Sequence, residues 1–510
     1  MFAPQFETLR SQPRRQRGWH DVAQSSYPKL WDGTPYDPPR STLREEQLTY
    51  LYTLARAMLP RDQAESAELD RELAHPDLPA AYTYFAQTAA HDLSWHRYVR
   101  EPWREGRALP PRVEGLVNRH RPRLDLQVLY GPGPLDMPWL YERGDPELLR
   151  VETRAYDAKF EWDLVRDDQQ RALVADPRQD ETVMVSQLHA TLIRVHNLLV
   201  AALRKLGHDS ARPPTSFDAA RAILTWHYQW LVLHDLLPRI LDTRRATALQ
   251  LCLRDLASGR PVSLSVFGSA EPFMPAEFPF AILRFGHALV RERYRVNRSL
   301  YEQPLTPERW PPPGRAPGGG FLTLFRKLPV GWGIDWNLFV PTARDEHQVA
   351  RRIGPHVCWS HGNLPLLAGD DPRRALLPFL TLRAGWEEPL RFIDGQAAAK
   401  RHVAMPVVPA AAGAERDPLW HYVLREAEVQ QRGARLGALG STVTWQVFVG
   451  VLRTDPDSYL SCASAWQPFL GERAGEFSLA ELVLLPDVDV DVVAERVRAG
   501  LAAGSALPSA

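Results

Sequence analysis

The chain has 510 residues, 61 basic and 61 acidic side chains, 45% hydrophobic and 24% charged residues, the composition of a globular protein able to bury a large core. The balanced charge excludes electrostatic recruitment by nucleic acid or a membrane surface, and no apolar run approaches the roughly 18 residues a transmembrane helix needs. Cys252, Cys358 and Cys462 are too few and too scattered for a disulfide framework; with no apolar segment after the N-terminal methionine, the expected address is the cytoplasm.

Residues 43–58 place apolar side chains at helical spacing and stop at Leu59-Pro60. Gln87 and His91 lie four apart, so a helix there projects both from one face, while Asp92 points about 100° away. The run Asp176-Pro-Arg178-Gln-Asp-Glu181 reads as a turn before a helix over 186–206. From that turn Arg178 either reaches a pocket or pairs with Asp180 or Glu181. Within the helix, His189 and His196 read as structural. Ser216 reads as the cap of a helix continuing to about Leu237-Pro238. Residues 263–267 and 334–340 carry strand-like composition. A helix is expected over Phe278–Asn297, with His287 in its middle, Arg284 a turn before and Arg291 a turn after. The Pro/Gly-rich stretch 304–320 reads as an excursion within one domain rather than a linker. Further helices are expected over 419–431, ended by Gly433, and after Pro486. Forty-five prolines cluster between these patterns, which predicts helices joined by long, stiff loops and few short strands.

Six segments in order carry a resemblance. They are Tyr82-Thr-Tyr-Phe-Ala-Gln-Thr-Ala-Ala-His-Asp92, Leu124-Asp-Leu-Gln-Val-Leu-Tyr-Gly131, Asp176-Pro-Arg-Gln-Asp-Glu181, Ser186-Gln-Leu-His with Arg194-Val-His-Asn197, Phe285-Gly-His287 and Ile334-Asp-Trp336. The later run from Leu419 to Glu428, followed by Arg435, Gly437 and Gly440, fits the same pattern. Together they resemble the animal-type haem peroxidases of the peroxidase–cyclooxygenase superfamily, in its bacterial branch, from roughly residue 80 to about 470. The resemblance implies a mainly α, large single-domain peroxidase fold over 79–480, preceded by an N-terminal extension and first helix (1–78) and followed by a terminal helix and tail (481–510).

It also implies roles. His287 would ligate haem b iron; His91 would be the distal base, Arg178 its partner, and Gln87 a pocket residue ordering water. Arg284 matches an arginine near the haem edge, where fatty-acid oxygenases of the superfamily carry a radical-forming tyrosine. Asp92 and Asp125 match two carboxylates of a calcium site. Those residue types suit the chemistry: a base moves a proton between the two peroxide oxygens, and a fixed cation stabilises the charge that separates.

This chain departs from the pattern at several positions. Ala90 replaces an ester-forming aspartate, so at most one ester link to haem remains, through Glu181; Thr182 replaces a methionine. Arg121 and Gln127 replace oxygen donors of the calcium loop, which leaves calcium open and lets the Arg121 charge stand in for the metal. No asparagine is found to accept the second N–H of His287; Thr381 or a carbonyl is the expected substitute.

The function implied is a peroxidase that reduces hydrogen peroxide through a ferryl intermediate and oxidises a small organic donor or halide. Two alternatives stay open: a haem enzyme of secondary metabolism with one dedicated substrate, and a degenerate binding protein that keeps only the fold.

Overall fold

Side-chain caps start five of the longer helices of this chain. The computed structural model describes residues 25–26, 29–30, 45–95, 117–156, 159–208, 215–268, 270–310, 320–323, 325–342, 346–363, 376–386, 393–403, 406–411 and 416–502. Its longer helices are α1 (Glu45–Ala57), α2 (Gln63–Glu72), α3 (Ala81–Leu93), α4 (Val183–Lys205), α5 (Ser216–Trp230), α6 (Thr243–Ala257), α7 (Leu377–Trp386), α8 (Gly395–His402), α9 (Leu419–Gln431), α10 (Ala438–Thr454) and α11 (Val490–Ala502). Asp62, Thr182, Asp242 and Asp394 each accept a backbone N–H in the first turn of α2, α4, α6 and α8. Thr215, one residue before the expected Ser216, caps α5 in a reciprocal box with Asp218.

The long helix α4 is the hub. It packs against α3, α5 and α11, and a single apolar cluster runs from Leu51 on α1 to Val497 on α11. Among the described residues the sheets are five antiparallel pairs of short strands; the regular one sets Glu152–Tyr156 against Lys159–Asp163. No helix of the described residues is long and apolar enough to cross a membrane.

Several expected elements differ. The segments 263–267 and 334–340 form no strands; each contains a 3-10 turn, Ser265–Phe267 and Trp336–Leu338. Tertiary partners decide both: Val266 N–H donates to Gln446 Oε1, and Trp336 Nε1–H to Thr191 Oγ1. The helix expected to stop near Leu237-Pro238 passes through a π turn at Leu231–Leu236 and ends at Ile240. A widened turn relieves the ring clash that proline imposes on a regular helix.

The continuous helix expected over 278–297 is broken. Glu277–Phe280 and Gly286–Leu289 are single α turns around a 3-10 turn, Ile282–Phe285, and Val290 is already extended. The N–H groups of Glu292 and Arg293 donate to the buried carboxylate of Asp70 on α2, so this backbone is satisfied outside any helix. That placement sets His287 in a short turn packed against α3. Most of 304–320 lies outside the described residues.

Candidate functional site

The site is assembled from α3, the turn before α4, and the broken segment around His287. On α3 the four-residue spacing holds: Gln87 and His91 both reach the 176–181 turn. Gln87 Nε2 donates to Glu181 Oε2 at 3.3 Å, and His91 Nδ1 lies 3.1 Å from Gln179 Nε2. Gln179 is fully buried and was not singled out in the sequence. Only its depth beside a histidine ring reveals it. An amide nitrogen can only donate, so Nδ1 accepts in this orientation; turning the amide over lets Oε1, buried and unpaired, accept from Nδ1–H instead.

Arg178 is held more firmly than the sequence suggested. Its partner is Asp176, not Asp180 or Glu181: Nε donates to both Asp176 oxygens at 3.1 and 3.0 Å. Its Nη2 donates to the His91 carbonyl at 2.9 Å, a group that also faces His120 Nδ1 at 2.8 Å. Its Nη1 makes no hydrogen bond among the described residues. Asp180 instead forms a two-pronged pair with Arg166 at 2.7 and 2.8 Å. Burial opposes the charge of Asp176, yet the Arg178 guanidinium holds its carboxyl well below the ordinary carboxylate range.

That pair has a pH signature. A depressed folded pKa stabilises the fold above the unfolded value of about 4, and the contribution drains away as pH falls below it. Asp176→Asn is therefore expected to lower the urea midpoint at pH 7, with the gap to wild type narrowing below about pH 4. A gap that stays constant from pH 7 to 3 contradicts a charged pair.

Asp92 leaves the opposite side of α3, as its position demands. Its carboxylate accepts the N–H groups of Leu126 and Val128 at 2.9 and 3.2 Å, binding α3 to a loop in which Leu124 and Leu126 adopt left-handed φ of 52° and 57°. Burial, then the like charge of Asp125, pushes Asp92 well up. Asp125 accepts from Gln127 Nε2 at 3.4 Å. Arg121 meets this loop through its backbone, donating to and accepting from the Gln127 amide, and it forms no ion pair among the described residues. Its charge does not take a metal's place between the two carboxylates.

His287 sits deep in the fold, where burial, then His361 and Arg284, hold its pKa well below the ordinary value. Yet the residue is only half-buried, while its Nδ1 is buried without a hydrogen-bond partner. The ring is thus closed on the Nδ1 side and open on the other. A neutral imidazole with one accessible nitrogen is the form that ligates iron. Trp420 of α9 packs edge-on to it at 6.1 Å and donates Nε1–H to the Arg284 carbonyl. Arg284 Nε donates to the Pro279 carbonyl.

Thr381 does not serve His287: its hydroxyl donates to Leu377 O one turn back in α7. The ring beside His287 is His361, which no spacing or motif marks. His196 is structural as expected, bridging Tyr130 Oη and the Glu147 carbonyl.

Residues 74–311 match the model of the family described as animal haem peroxidase. A peroxidase-like protein of Margaritifera margaritifera is 32% identical over 116 residues, which are 23% of this chain and 14% of that protein. Human thyroid peroxidase is 30% identical over 164 residues, 31% of this chain and 16% of that protein. The matched segments are thus a small part of both relatives. In three dimensions the chain is similar to peroxidase A from Dictyostelium discoideum (TM-score 0.53, 13% identity, 92% and 94% of the two chains). It is equally similar to the fatty acid alpha-dioxygenase of Oryza sativa (TM-score 0.53, 12% identity, 94% and 82%). Those two likenesses concern the fold. These relatives are eukaryotic and do not bear on a bacterial branch.

Proposed function

We propose, from the match of residues 74–311 to the animal haem peroxidase family model, that this protein is a haem-dependent peroxidase. It would reduce hydrogen peroxide and oxidise a small organic donor or a halide. The observation that carries this reading is the distal cluster: one imidazole oriented by Gln179 next to one guanidinium anchored by Asp176.

The residues fit the prosthetic group. The open nitrogen of His287 would ligate the iron, with Arg284 near the edge and Glu181 as the carboxylate for a single ester link. Bound haem supplies the two-electron reduction of the peroxide O–O bond. His91 Nε2 takes the proton from the nearer peroxide oxygen and returns it to the leaving oxygen, which departs as water. Gln179 borders the far nitrogen; with its amide turned so that Oε1, buried and otherwise unpaired, accepts from Nδ1–H, Nε2 is the basic nitrogen of the ring. Arg178 presents Nη1 to the charge that develops on the leaving oxygen, and Asp176 keeps the guanidinium from swinging away. Gln87, tied to Glu181, orders the water of the pocket. Arg284, in place of a tyrosine three residues before His287, favours peroxide chemistry over fatty-acid oxygenation.

Removing Arg178 tests the cationic half of this device. Because Asp176 is fully buried, the substitution is made as Arg178→Leu together with Asp176→Asn, which strands no charge. The double variant is expected to bind haem and to react with peroxide about 10²–10³-fold more slowly in stopped flow, the cost of one preorganised donor. A rate equal to that of Asp176→Asn alone contradicts the role given to Arg178.

A further inference from the structure

The open side of His287 is accounted for by the iron; its closed side is not. Nδ1 of His287 is buried with no hydrogen-bond partner, and leaving such a group unpaired costs about 1–3 kcal/mol. The adjacent ring of His361 shows the same defect: its Nδ1 is also buried and unpaired. The two ring centroids are 5.4 Å apart with planes at 45°. That separation allows facing imidazole nitrogens to come within about 3 Å, the length of a hydrogen bond. One neutral imidazole can donate and the other accept.

The backbone holds His361 at this place. It lies in the 3-10 turn Trp359–Gly362, which is fastened to the chain just beyond His287. Ser360 donates its N–H and its hydroxyl to the Glu292 carboxylate at 3.0 and 2.6 Å. Trp359 N–H donates to Ser66 Oγ, whose own hydroxyl donates to Glu292 at 3.1 Å. Glu292 is fully buried and only five residues from His287, so the two histidines ride on one braced unit. Thr381, the other candidate, is committed to its own helix.

We propose that His361 is the acceptor for the Nδ1–H of His287, and through it sets the orientation and basicity of the haem ligand. It is a positioning residue: it touches the ligand and not the peroxide. The inference rests on the ligand role of His287. A partner behind a ligating histidine raises its basicity and strengthens its bond to the metal.

Two variants of the haem-loaded protein test this. His361→Phe keeps the ring volume and removes the nitrogen; His361→Gln keeps an acceptor oxygen. The readouts are the iron–histidine stretching frequency of the ferrous protein by resonance Raman, the ferric/ferrous reduction potential, and the rate of haem transfer to apomyoglobin. His361→Phe is expected to lower the frequency, raise the potential and speed haem loss by about 10- to 100-fold, the usual cost of losing such a partner. His361→Gln is expected to stay near wild type in all three. If His361→Phe folds, binds haem and leaves frequency and potential unchanged, the proposal is overturned. If His361→Phe does not fold, His361→Gln decides: a frequency and potential shifted as far as in an acceptor-free His361→Leu also overturn it. His287→Gly separates the underlying reading. An iron–histidine band that persists there removes His287 as ligand, whatever His361 does.

Discussion

His287→Ala is expected to give a folded protein that leaves haem reconstitution without a Soret band. The ring is the only side chain in the broken 277–289 segment with a nitrogen fit for iron, and it is desolvated, neutral and open on one side. Alanine removes the ligand and leaves the wall around it: Phe285, Ala288 and Leu289 are buried and keep their packing. The fold should therefore survive the substitution, with the apolar packing of those three residues retained. Haem is then held by apolar contact and by Arg284 alone, and gel filtration should strip it. The check is the absorbance ratio of Soret band to protein band after desalting, for wild type and variant in parallel. Retention at the wild-type ratio with an unchanged spectrum would remove His287 from the centre of the account.

His91→Ala is expected to do the reverse, keeping haem and losing peroxide reactivity. His91 contributes no ligand to the proximal side; its ring is engaged at Nδ1 by Gln179, and its backbone carbonyl is held by Arg178 and His120. Those backbone bonds survive truncation of the side chain, so the guanidinium keeps its place. What is lost is the base. Positioned acid–base groups contribute roughly 10²–10⁴ in rate, or about 3–5 kcal/mol of barrier, and the second-order rate with hydrogen peroxide should fall by that factor. The Soret ratio should stay at the wild-type value. A variant as fast as wild type would mean that another group moves the proton.

Which parts of this were legible in the sequence follows from where the information sits. The pairing of Gln87 with His91, and the divergence of Asp92, follow from helical geometry alone and hold in the structure. Helices α1, α4 and α9 are legible from the spacing of their apolar residues. Helix α10 does not, because Ala438 through Leu452 are all buried, and a helix covered on every side has no polar face to mark its period. The break around His287 was invisible for another reason. Asp70, more than 200 residues away in the chain, takes the N–H groups that a continuing helix would have used. Gln179, Asp176 and His361 were equally hidden: each acts on a site residue through a contact that spacing cannot show. Thr381, expected behind His287, and Asp180, expected beside Arg178, each have another bond.

The central claim is that the Gln179-oriented imidazole and the Asp176-anchored guanidinium work on peroxide at a haem held by His287. The measurement that addresses it most directly is the absorption spectrum of haem-reconstituted protein before and after one equivalent of hydrogen peroxide, followed by a phenol. The account predicts a Soret band that shifts within the mixing time of a stopped-flow instrument and returns to its starting position when the phenol is added. A Soret band that forms and ignores peroxide would contradict it.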